Sequence, residues 1–356
     1  MRKHVSPFFA LLASAVLIAG CDGNKLLDPR VQPDGPLLAA QAQTQFATLT
    51  KLPSLGSNSE ALAVDAGGTV IVGHSFDRAG MLYAVKWTLQ NGLWKITKLS
   101  YTGSARATGI NSQGDAVGYG ATPPRRAVRW SPANVSTALD CGSDAGESTA
   151  SAISAGGGIA VGAGAGRAAI WRTGSCRESL PQLTDAGYSS AATTNGDGTV
   201  VGGSGGATSG DLAVPIRWRE VLGQWVIEQL DSRRGRASGA NGAGDLAGHV
   251  VDPCALTDGC ARPMLWYAVG GSRTIDAGGE QSYAHDINAA GEVVGVKTSN
   301  GRSTAYIWSE ALGVRDLAVK GSDGVARAVS DVRADGSRVV AGLAGTGAAV
   351  WVVRTP

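Results

Sequence analysis

Ser282-Tyr283-Ala284-His285-Asp286-Ile287-Asn288-Ala289-Ala290-Gly291-Glu292-Val293-Val294-Gly295 decides the fold, because the chain repeats its pattern seven times. A small residue, two variable ones, an aliphatic, a turn residue and two more lead to a glycine. The phrase stands again at Ala61–Gly68 and Ala107–Gly114 and ends at Gly157, Gly198, Gly244 and Gly336, with intervals of 46, 43, 41, 46, 47 and 45 residues. Each copy continues into an aliphatic run closed by glycine, such as Val70-Ile71-Val72-Gly73, and then reaches a tryptophan. Trp87, Trp130, Trp171, Trp218, Trp266, Trp308 and Trp351 all fall in this register, seven of the nine in the chain. A period of this length marks a repeat architecture.

Between the tryptophan and the next copy lies a further apolar segment, clearest in Leu93-Trp94-Lys95-Ile96-Thr97-Lys98-Leu99 and Gln224-Trp225-Val226-Ile227-Glu228-Gln229-Leu230. The unit therefore reads as four short strands, a to d, separated by Gly/Asn/Asp/Ser turns. Asn111-Ser112-Gln113-Gly114 fits a tight a–b hairpin with glycine at positive φ. A calcium loop would need ligands where the other copies carry Ser154 or Arg333, so these positions read as turns. Four strands in about 45 residues is the signature of a propeller blade. Strand a carries small residues at alternate positions (Ala61/Ala63, Ala107/Gly109, Ala150/Ala152, Ala237/Gly239), which suits the crowded axis of a ring.

The last copy stops after its strand c at Trp351, and Thr48-Leu49-Thr50-Lys51-Leu52 before the first copy matches a strand d. The expected fold is all-β: a seven-bladed β-propeller of four-stranded antiparallel blades over 46–356, closed by an N-terminal strand that completes the last blade. Such closure leaves no free edge between first and last blades.

The phrase quoted above, followed by Thr304-Ala305-Tyr306-Ile307-Trp308, resembles the bacterial HAF repeat, a family of extracellular repeats named for a His-Ala-Phe before the tryptophan. The triplet here is altered to Tyr83-Ala84-Val85, Arg126-Ala127-Val128 and Thr304-Ala305-Tyr306. The resemblance covers roughly 46–356 and implies a secreted or envelope-attached propeller, with no settled reaction. The Gly-His and Trp-Asp pair of WD repeats is absent as a pattern, although Gly73-His74 and Gly248-His249 echo its first half.

Ahead of the repeats, Arg2, Lys3 and His4 precede an apolar run from Phe8 to Ala19, too short to span a bilayer but suited to a signal peptide. Leu17-Ile18-Ala19-Gly20-Cys21 resembles a bacterial lipobox, so 1–20 reads as a lipoprotein signal and Cys21 as the lipidated residue. Residues 21–45, with Pro29, Pro33 and Pro36, read as a flexible tether. These features place the protein in the bacterial cell envelope, lipid-anchored to a membrane, facing the periplasm or the surface.

With 52 glycines in 356 residues and only 17% charged residues, the composition excludes long helices, and 43% hydrophobic residues exclude a mostly disordered chain. Without Arg2 and Lys3 the chain carries 29 basic and 29 acidic residues. That balance removes the electrostatic case for nucleic acid or for a polybasic membrane surface. No phosphate loop or metal-binding histidine pair occurs, and no catalytic residue, metal or cofactor is assigned. His74 and His249 occupy equivalent slots in non-adjacent blades, and His285 stands alone on its strand a.

Four cysteines remain after Cys21, an even number suited to an oxidising compartment. Cys254 and Cys260, bracketing the longest b–c loop, form the expected pair, with Asp258 and Arg262 presented at its rim. Cys141, just after a strand d, and Cys176, near the start of the next, fall at opposite ends of the ring, which leaves a second bridge open. The b–c loops and d–a connections vary most and share one face. Candidate ligand-binding residues there are Tyr101, Tyr188, Arg236, Tyr283 and His285, with Arg233 and Arg234 beside them. The expected function is a monomeric binding or scaffold module for a protein, peptide or glycan. The alternative is an envelope hydrolase acting on glycans or peptides from a pocket on the same face.

Overall fold

In the computed structural model, the described residues are 46–354 apart from 143, 145, 185–186, 207–212, 255–258 and 318–322. The expected signal peptide, Cys21 and the tether lie outside the described residues, as does Asp258. Twenty-eight strands form seven four-stranded antiparallel sheets, with no helix among the described residues. Six blades follow chain order, over 56–98, 105–138, 148–179, 188–229, 235–274 and 281–317. The seventh takes its strands a to c from 324–354 and its outer strand from Ala47–Lys51, with Leu49 opposite Trp351 and Thr50 opposite Val350.

Six of the seven a–b hairpins are held by an oxygen of the turn residue itself; in blade 7 that slot is Arg333, and Asp335 Oδ1 accepts the Ser337 amide at 3.0 Å instead. Asn111 Oδ1 accepts the Gln113 and Asp115 amides at 3.1 and 2.9 Å, and Asn288 Oδ1 does the same for Ala290 and Glu292. Asp65 accepts Thr69 and Val70, while Ser154 Oγ accepts Ile159. In these six blades an oxygen on a short side chain caps the turn, as in Asx and Ser/Thr turns generally.

Strand a departs from the uniform alternation expected of it. In every blade a bulge follows the buried alanine that opposes a glycine of strand b: Ala61↔Gly73, Ala107↔Gly118, Ala150↔Gly162, Ala191↔Gly203, Ala237↔Gly248, Ala284↔Gly295 and Ala326↔Gly342. The bulge leans the preceding carbonyl over strand b. A Cβ on Gly73 would lie 2.0 Å from Glu60 O, one on Gly248 2.0 Å from Arg236 O, and one on Gly295 1.9 Å from Tyr283 O. Glycine closes each aliphatic run because nothing larger fits beneath that oxygen. The extra residue re-aims its own side chain, a common use of bulges.

The core lies between blades. Ala61, Ile71, Val85 and Trp87 of blade 1 pack on Val339, Ala341, Ala348 and Val350 of blade 7, and the same arrangement recurs around the ring. The strand-c indoles fill these wedges, and several are tied to the connector of the preceding blade. Trp87, Trp130 and Trp218 donate to Pro53 O, Ser100 O and Pro181 O, each at 2.7 Å. Trp171 donates to Asp140 Oδ1 at 3.1 Å instead.

The Cys254–Cys260 disulfide is formed. So is Cys141–Cys176, with Cα atoms 5.2 Å apart, which corrects the placement of these two at opposite ends of the ring. The connector after blade 2 is drawn against the outer strand of blade 3: Asp144 accepts the Cys141 and Arg177 amides, and Asp140 meets the Arg177 guanidinium at 3.4 Å.

Candidate functional site

Strands a are the innermost of each blade, and side chains from the residue before the buried alanine and from the bulge residue after it meet those of neighbouring blades. Blades 5 to 7 and 1 gather their polar side chains here. Arg236 opposes His249 across the a–b pair of blade 5, and the Tyr283 ring of blade 6 meets the His249 ring edge-on at 4.9 Å. Tyr188, at the head of strand a in blade 4, acts on the Arg236 guanidinium from the other side. His285, the bulge residue of blade 6, donates from Nδ1 to Ala326 O at 2.7 Å. That fixes its tautomer, leaving Nε2 to accept from Arg327 Nη1 at 3.4 Å. Arg327, the bulge residue of blade 7, donates in turn to Glu60 Oε1 at 2.8 Å. His285 therefore does not stand alone: the ring closes it between His249 and Arg327.

Four of the five expected binding residues, Tyr188, Arg236, Tyr283 and His285, thus face one channel. Tyr101 does not join them. Its ring packs edge-on to Trp130 and its hydroxyl sits over Gly120, so it belongs to the wedge between blades 1 and 2. Arg233 is held by Asp231 at 2.7 Å and Asp252 at 2.5 Å, and Arg262 reaches Gly279 O at 3.4 Å. Glu60, Arg106 and Arg327 are site residues that sequence reasoning passed over, and His249 was read only as a slot shared with His74. Glu60 and Arg106 stand immediately before the buried alanine of strand a, and Arg327 immediately after it.

Electrostatically the channel is positive. Burial, aided by Arg236, lowers His249 to about 4. Burial and Arg327 bring His285 to the same value, and burial with Arg106 does so for His74. All three are neutral at pH 7. Burial raises Asp286 to about 7 although it accepts the Val329 amide at 2.9 Å. Glu60 is committed to Arg327. Charge in the channel is therefore set by its arginines.

A cleft of about 530 Å³ lies instead at the a–b and c–d end between blades 5, 6 and 7. Its charged groups are satisfied: Glu292 by Arg338 and Asn288, Glu310 by Tyr267 and Arg273, Asp245 by Asn241 and the Ala268 amide. It reads as a seam between blades. Among the described residues no cluster of three metal-ligating side chains occurs.

No protein-family model and no curated protein matches the chain. Solved propellers resemble it in shape. A catalytically inactive virginiamycin B lyase from Staphylococcus aureus, with quinupristin, superposes at TM-score 0.58 and 9% identity over 87% of this chain and 100% of that one. The β-propeller domain of Cps50 (Swd1) from Myceliophteria thermophila gives 0.54 and 11%, over 85% and 98%. That of the Trilobed protease from Pyrococcus furiosus gives 0.50 and 11%, over 86% and 93%. At such identities the likeness shows the fold. The β-propeller is a fold usable as a binding or scaffold module.

Proposed function

We propose that the chain is a lipid-anchored protein of the bacterial envelope, related to the HAF-repeat propellers, that holds a partner at the mouth of its channel. The observation that carries this reading is the convergence of Tyr188, Arg236, His249 and Tyr283 from three successive blades at the b–c end of the channel. A rigid ring that gathers aromatic, guanidinium and imidazole groups on its innermost strands provides directional contacts without the entropy cost of ordering a loop. Two disulfides accord with an oxidising compartment. A hydrolase is less well supported. Its two channel carboxylates are both occupied, Glu60 with Arg327 and Asp286 with the Val329 amide.

Two experiments test the reading. A photoreactive phenylalanine analogue at Tyr283, introduced into the full chain in a bacterial envelope, should give discrete adducts that the same analogue at Leu222, exposed on a c–d turn, does not. Adducts at Leu222 alone would move the working surface to the other face. Cys21→Ser should release the folded propeller from membrane fractions, and unchanged fractionation would remove the anchor.

A further inference from the structure

Arginines that reach between blades in this ring find partners. Arg338 pairs with Glu292, Arg172 with Glu220 at 2.8 Å, and Arg217 donates to Tyr267 O at 3.0 Å. Arg333 reaches Gly67 O at 3.1 Å, and Arg327 holds Glu60. Arg236 and Arg106 break the pattern. Each stands at the position before the buried alanine on strand a, the innermost strand of its blade. Neither has a carboxylate or carbonyl partner among the described residues.

Arg236 is the more exposed to this cost. Burial is the first influence on its guanidinium and acts against its charge, and the neighbouring group that favours the charge is a phenol, Tyr188. His249 beside it is neutral and supplies no counter-charge. An arginine kept without a partner in a desolvated cleft is unfavourable in the free protein. The same cleft strengthens its attraction for an incoming anion, because low-dielectric walls focus the field. Arg106 of blade 2, acting on His74 of blade 1, adds positive charge from nearly the opposite wall of a ring of seven.

We propose that the channel mouth binds an anionic group, a carboxylate or a phosphate, through the Arg236 guanidinium, with the Tyr188 and Tyr283 hydroxyls and the His249 imidazole as hydrogen-bonding neighbours and Arg106 as a second source of positive charge. The planar fork of arginine matches both groups in bidentate geometry. This deepens the mouth-binding reading and rests on it.

The test is calorimetric titration of the folded chain with inorganic phosphate and, separately, with succinate, at low ionic strength. Saturable binding should weaken at least tenfold in Arg236→Gln and severalfold in Arg106→Gln. It should be unchanged in Arg315→Gln, where the arginine is exposed on an outer strand. The stronger of the two ligands identifies the anion. Without ligand, Arg236→Gln should melt at or above the wild-type temperature, since it removes an unpaired charge; an arginine serving only the fold would lower it. Absence of saturable binding by either anion, or equal binding by Arg236→Gln, overturns the proposal. Adducts at Tyr283 alongside that result would keep the mouth as a partner site while discarding the anion.

Discussion

Arg327 and Glu60 meet at 2.8 Å across the junction of the last and first blades, 267 residues apart in sequence. The same guanidinium touches His285 Nε2, so one side chain joins three blades. Replacing Arg327 with Gln leaves Glu60 without its cation and removes the positive charge that helps hold His285 near 4. Both groups are partly accessible, so the expected stability loss is modest, about 1 kcal/mol. The sharper readout is the His285 titration followed by NMR, which should move upward. A His285 titration left in place would show that burial alone sets it.

Gly248→Ala should be costly out of proportion to one methyl group. The added carbon would lie 2.0 Å from Arg236 O, a backbone atom fixed by the bulge. A loss of about 3 kcal/mol is expected, the upper end for overpacking. Gly92, at φ 77° in an open turn, has nothing within 4 Å of its added Cβ. Gly92→Ala should cost about 1 kcal/mol, from backbone conformation alone. Chemical denaturation of the two variants gives the comparison, and equal losses would mean that the bulge yields to the methyl.

Stability should fall as pH drops from about 6.5 toward 4. His74, His249 and His285 titrate near 4 when folded against an ordinary 6.5. Their contribution is full above 6.5 and drains as the unfolded chain takes up protons that the folded chain refuses. Asp286 acts in the opposite sense. Raised from 3.8 to about 7, it contributes below 3.8 and loses that contribution as pH rises toward 7. Three groups against one leave the unfolded chain holding about two more protons near pH 5. Urea midpoints across this window should therefore decline on acidification. The decline should be steeper in Asp286→Asn and shallower in His249→Gln. A flat profile would contradict the burial of these imidazoles.

The two disulfides should contribute unequally. Chain entropy assigns about 4 kcal/mol to the Cys141–Cys176 bridge, which spans 35 residues, and about 2 kcal/mol to Cys254–Cys260, which spans 6. Cys141→Ser/Cys176→Ser should accordingly melt well below Cys254→Ser/Cys260→Ser. The opposite order in a thermal scan would place the tighter constraint in the small loop.

Much of this was legible in the repeats. Seven glycine-closed aliphatic runs, each followed by a tryptophan, define strands b and c and thereby the number of blades. The bulge was not, because Ala61-Leu62-Ala63 has the alternation of an unbroken strand and only the ladder shows Leu62 unpaired. Tyr188, Arg236, Tyr283 and His285 were expected among the loops of the b–c face, and the structure sets all four within strands a instead. Glu60 with Arg327, and His249 with Tyr283, come together only because neighbouring sheets converge on the axis, and side-chain reach across that gap leaves no trace in sequence spacing. Cys141–Cys176 was missed for a related reason: a connector's path is set by what it packs against, here Arg177 and Trp171.

The outer strand Ala47–Lys51 runs from the c–d end of the ring toward the b–c end, antiparallel to Gly347–Arg354. Consider a force applied along this strand's own axis. The five residue pairs from Ala47↔Val353 to Lys51↔Ala349 then bear the load in shear, all together, instead of being peeled apart one after another.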